Sequence, residues 1–149
     1  MAISTYSELK TALTNWSKRT DLSTLLGDFI ALAEARIQRS LLARVQEVET
    51  ELTMTPGSRY VALPADFDSP VALWLKANLP REQLPQLLPE HLCGSNTSGY
   101  PEAWGIDGEN IAFDKPASSA WAVDFRYCKP LALSDSTPTN YILTNYPDV

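Results

Sequence analysis

Ala120-Trp121-Ala122-Val123-Asp124-Phe125-Arg126-Tyr127-Cys128-Lys129 alternates with a period of two. Trp121, Val123, Phe125 and Tyr127 fall on one face, and Asp124 and Arg126 on the other. This pattern describes a strand with one side in a core and the other toward polar surroundings. It makes the second half of the chain β-rich and antiparallel. Working back from it, Ala103-Trp104-Gly105-Ile106 and Asn110-Ile111-Ala112-Phe113 flank Asp107-Gly108-Glu109, a tight hairpin. Arg59 to Leu63 reads as a strand closed by Pro64 and preceded by the turn Thr55-Pro56-Gly57-Ser58. Val71 to Leu75 reads as another strand. Leu84, Leu87, Leu88 and Leu92 have helical spacing, which Pro85 and Pro89 cut into short turns. Gly94 to Gly99 is a loop.

The first half has a different period. Thr5-Tyr6-Ser7-Glu8 forms a capping box, and Tyr6, Leu9, Leu13 and Trp16 follow at helical spacing on a face expected to be buried. After the polar stretch Lys18 to Asp21, a second helix is expected to begin near Ser23 or Asp28. Its apolar stripe of Ile30, Ala33, Ile37, Leu41, Val45 and Val48 would run for about five turns, with Glu34, Arg36, Gln38, Arg39, Arg44, Gln46 and Glu47 on the opposite face. At the other end, Thr137-Pro138-Thr139-Asn140 reads as a helix start, with Tyr141 and Leu143 expected to pack on the first helices and Asp148 as a fresh cap after Pro147. The class is therefore α+β: a helical part over 1–49, a β-rich part over 50–130 and a helical segment over 131–149, expected to form one domain. At 149 residues the chain suits that count.

The composition narrows the function. Eighteen acidic and twelve basic residues give a net charge of −6, which disfavours wrapping nucleic acid. No apolar run is long enough to span a bilayer, and no signal peptide is legible. Cys93 and Cys128 match no metal spacing and read as free thiols of a reducing cytosol. The single histidine, His91, reads as a surface or half-buried ring and excludes most histidine-based triads and metal sites. None of the six glycines forms a phosphate-cradling motif. Asp66 and Asp68 could be imagined as a metal pair, but Asp66 more simply caps the turn after Pro64. No catalytic residue, cofactor site or metal site emerges; an enzyme would need a scattered site, with Asp66, Asp68 or His91 as its test. Arg36 and Arg39 share a helix face with Arg44 near it. They form either a solvated face with local ion pairs or an interhelical or intersubunit contact.

Several stretches, in order along nearly the whole chain, resemble the head–tail adaptor (connector) proteins of tailed bacteriophages. They are Tyr6-Ser7-Glu8-Leu9, Arg19-Thr20-Asp21-Leu22 and Phe29-Ile30-Ala31-Leu32-Ala33-Glu34-Ala35-Arg36-Ile37-Gln38-Arg39. Further on come Tyr60-Val61-Ala62-Leu63-Pro64-Ala65-Asp66-Phe67, then Leu131-Ala132-Leu133-Ser134-Asp135, Thr139-Asn140 and Tyr146-Pro147-Asp148. The resemblance implies a non-enzymatic virion protein, made in the host bacterial cytoplasm and sited in the neck between head and tail. It implies rings, commonly of about twelve copies, beneath the portal protein, with tail or neck proteins below and DNA passing through without specific binding during genome ejection. A negative wall would let DNA slide. The suspected intersubunit or partner contacts are Arg36, Arg39 and Arg44 on the helix and Tyr141 and Tyr146 near the end. Family members usually continue past the Tyr-Pro-Asp element into a further helix, whereas this sequence closes at Val149, so no portal-docking residues are carried over. The alternative is another phage tail-completion or accessory binding module without catalysis.

Overall fold

The computed structural model describes residues 3–19, 21–40, 46–77, 80–92, 94 and 96–145. The chain divides into two compact units: Met1–Gln46 with Pro130–Val149, and Glu47–Lys129. The family of elements is that expected of an α+β protein, two N-terminal helices, antiparallel sheets and a short C-terminal helix.

The β unit contains two sheets. Strands β1 (Glu47–Thr53), β3 (Ser69–Leu75), β4 (Glu82–Leu84) and β7 (Ala122–Cys128) form one, in the order β1-β7-β3-β4. Strands β2 (Tyr60–Ala62), β5 (Trp104–Asp107) and β6 (Asn110–Phe113) form the other, in the order β2-β6-β5. All strand pairings are antiparallel. The alternating stretch is β7, central in its sheet. Its register places Val48, Thr50 and Leu52 of β1 opposite Tyr127, Phe125 and Val123, and puts Leu73 and Leu75 of β3 on the same side. Those positions join Trp104, Ile111 and Phe113 of the second sheet, with Met54 and Leu84, in one buried core. Phe125 is its centre: its ring stacks on Tyr127 at 5.3 Å and meets Trp104 edge-on at 5.7 Å. Burying such a ring contributes about 2–3 kcal/mol. The indole N–H of Trp104 donates to the Leu84 carbonyl at 3.1 Å, so the buried polar atom is satisfied.

On the far face of β7 the polar positions are also matched across strands. Glu49 and Glu51 of β1 stand opposite Arg126 and Asp124. Asp124, only 5% exposed, accepts from Lys76 and Arg81, each at 2.8 Å. Glu49 accepts from Arg126 at 2.7 Å and from Arg81 at 2.5 Å, while Lys76 also reaches Glu51. Both guanidinium groups lie over the Trp74 ring, at 4.6 and 4.9 Å. Three carboxylates and three cations thus form a closed network on the sheet.

Two turns follow from their residues. Ser58 N–H donates to the Thr55 carbonyl at 3.0 Å around Pro56-Gly57, and Gly57 takes a φ of 80°, a type II turn. In the β5–β6 hairpin Gly108 has a φ of 60° directly after Asp107, which pairs with Asn110, matching a II′ turn with glycine first. Three expectations are corrected. Val48 lies in β1 rather than on the second helix, and strand begins at Glu47 instead of after Thr50. Residues 82–84 form β4 rather than a helical turn; only Pro89–His91 is a turn of 3-10 helix. Asp66 accepts the Tyr127 hydroxyl at 2.7 Å, while the turn beside it closes through the Phe67 N–H and the Pro64 carbonyl.

The helical unit starts with α1 (Tyr6–Ser17), whose capping box is present: Glu8 N–H donates to Thr5 Oγ1 and Thr5 N–H donates to the Glu8 carboxylate. Lys18, with a φ of 51°, ends it in the left-handed region. Tyr6 is buried and Leu9 and Leu13 are half-buried, but Trp16, expected on the same buried face, is 69% exposed. Helix α2 (Leu26–Ser40) follows, and α3 (Tyr141–Asn145) closes the unit. Asn140 caps α3 by accepting the Leu143 N–H at 2.9 Å. No described helix is long and apolar enough to cross a membrane.

Candidate assembly surfaces

Helix α2 carries two stripes. Leu26, Ile30 and Glu34 are buried and Ile37 is half-buried, at steps of three or four. Leu25, just ahead of the helix, then Phe29, Leu32, Arg36 and Arg39 follow the same steps on another side, and all are exposed. Leu32 is 66% exposed and Phe29 49%. The outer stripe is therefore apolar at its N-terminal half and basic at its C-terminal half. Arg39 donates from Nε to the Ala35 carbonyl at 3.1 Å, which holds its guanidinium along the helix.

Of the residues expected to make contacts, Arg36 and Arg39 share this exposed stripe. Tyr141 stands 43% exposed at the start of α3, whereas Leu143 is buried. Arg44 and Tyr146 lie outside the described residues. Phe29 and Leu32 belong to neither face in the sequence pattern, which traces the inward stripe through Ile30, Ala33 and Ile37 and the outward face through polar residues alone, although their spacing from Arg36 is legible.

Glu34 corrects another expectation. Counted with the outward polar face, it is instead buried, 9% exposed. One carboxylate oxygen accepts the Leu133 N–H and the other the Asn140 side-chain amide, both at 3.2 Å. Burial pushes its carboxyl up, and the two hydrogen bonds pull against that less strongly. Around it lies an apolar groove of about 300 Å³, walled by Leu9, Leu13, Phe29, Ile30, Ile142 and Leu143 among others.

Charge is divided unevenly. Residues 47–129 contain twelve acidic and six basic side chains and the remainder six of each, so the entire −6 falls on the β unit. Among the described residues no group of three His, Cys, Asp or Glu could hold a metal, and Cys128 is a free thiol while Cys93 lies outside them.

These surfaces suit an assembly protein: charges are matched across the four-stranded sheet, and α2 carries an exposed stripe that runs from apolar to basic. A family model described as SU10 adaptor protein matches residues 4–149, running through both units, and the chain belongs to that family of phage head–tail adaptors. It is thus a phage adaptor, a structural component of the virion that interacts with head and tail components. No curated protein matches the chain.

Proposed function

We propose that this protein is a ring subunit in the phage neck, beneath the portal, joining portal to tail proteins and extending the DNA channel without catalysis. The observation that carries this reading is the outer stripe of α2. An exposed run of Leu25, Phe29 and Leu32 continuing into Arg36 and Arg39 suits packing against a second copy of the chain. Repeated head-to-tail around an axis, such a contact closes a ring. Arg44 and Tyr146 extend the proposed contact in sequence, with Tyr141 exposed on α3. The acidic β unit suits a wall past which DNA slides, because like charge removes adhesion to phosphates.

Sedimentation velocity of the purified chain, alone and with purified portal protein, tests the stripe. Assembly beyond the monomer that Leu32→Glu abolishes, with its circular dichroism spectrum unchanged, supports the reading. Assembly indifferent to Leu32→Glu places the contact elsewhere and overturns it.

A further inference from the structure

The C-terminal part of the helical unit is fastened from two sides. Pro138 accepts the Tyr6 N–H at 2.7 Å, and Asp135 pairs with Lys10 at 2.8 Å, both on α1. On α2, among the described residues, it is the Glu34 carboxylate that fastens this segment, gripping Leu133 and Asn140 together. Asn140 is also the cap of α3, so the same grip reaches the element that places Leu143 in the groove. Between residues 131 and 140 the backbone forms no regular element; these contacts tie it to the two helices, while Ser134 and Thr137 close a turn within it.

We propose that residues 133–143 are a releasable strap over the helical pair, latched by Glu34 and loosened when its carboxylate is charged. Two neutral donors hold that carboxylate, and no cation among the described residues contacts it. Lys10 of α1 is engaged with Asp135 of the strap, and Glu8 of α1 with the N-terminal cap. Arg36 and Arg39 of α2 lie on its exposed stripe, with Asp28 exposed nearer its start. The remaining groove walls are apolar. A buried charge without a counter-ion is costly, and lifting the strap returns it to water. The raised carboxyl sets the direction. A strap-down state that binds the proton more tightly than the strap-up state is favoured at low pH, and loses that advantage as pH climbs from the ordinary 4.5 through the raised value.

Hydrogen–deuterium exchange on the full chain, corrected for intrinsic rates, reads the latch at about pH 4.5 and about pH 7.5. The expected result is opening over residues 133–143 at least about threefold more frequent at the higher pH, with that dependence absent in Glu34→Gln. Equal opening at both pH values in the natural chain, or the same dependence kept by Glu34→Gln, overturns the proposal. If Glu34→Gln does not fold, a titration of the natural chain by nuclear magnetic resonance decides. The Leu133 amide and the Glu34 carboxyl should share one midpoint above 4.5, and separate midpoints overturn it.

Discussion

Asp124 and Arg81 meet at 2.8 Å on the polar face of the four-stranded sheet, with the carboxylate nearly enclosed and the guanidinium extending over the Trp74 ring. Lys76 completes the grip on Asp124 from the end of β3. The central strand of the β unit is thus held on both faces, by Phe125 and its neighbours inside and by ion pairs outside.

Replacing Asp124 with Asn leaves two cations facing an amide in a mostly enclosed place. Destabilisation of roughly 1–3 kcal/mol in urea unfolding is expected. Burial alone would raise this carboxyl, but the Lys76 and Arg81 hydrogen bonds outweigh it and hold it below the ordinary 3.8. Its contribution is therefore present above that value and lost as pH falls through the depressed one. The natural chain should lose stability below about pH 4 more steeply than Asp124→Asn does.

Gly105 is required by close approach. A Cβ there would lie 2.5 Å from the Leu87 carbonyl oxygen, because residues 85–87 run beside β5 and exchange backbone hydrogen bonds with Trp104. Gly105→Ala should cost about 2 kcal/mol or more by the same measurement, whereas an alanine on an open surface would change little.

Asn140→Ala removes the α3 cap and one of the two donors on Glu34 together. A loss of about 1–2 kcal/mol in thermal unfolding of the helical unit is expected. Faster amide exchange at Leu143 should accompany it.

Arg36→Glu combined with Arg39→Glu reverses the basic half of the α2 stripe. Both side chains are exposed, so stability should move by no more than about 0.5 kcal/mol. Assembly measured by sedimentation should be lost.

The sequence made β7 legible because its inward positions are all apolar and the two outward positions between them, Asp124 and Arg126, are charged. Strand β1 alternates too, as Glu49 and Glu51 against Val48 and Leu52, yet Val45 and Val48 continued a helical count from Ile37 and masked the change of period. Strand β4 is three residues long, too short for its alternation to outweigh leucines at helical spacing. Glu34 was placed on the outward face for a physical reason. A lone carboxylate on an otherwise apolar stripe reads as outward unless its donors are visible, and those donors stand about a hundred residues away. Arg36 and Arg39 were legible as a shared face, but the apolar half of that face was not, because exposure of Phe29 and Leu32 depends on where the rest of the helical unit packs.

Electron microscopy of the purified protein mixed with portal protein tests the central claim most directly. The account predicts closed rings of this subunit stacked coaxially on portal rings, with α2 at the contact between neighbouring copies. Particles that remain monomeric and leave the portal bare would contradict it.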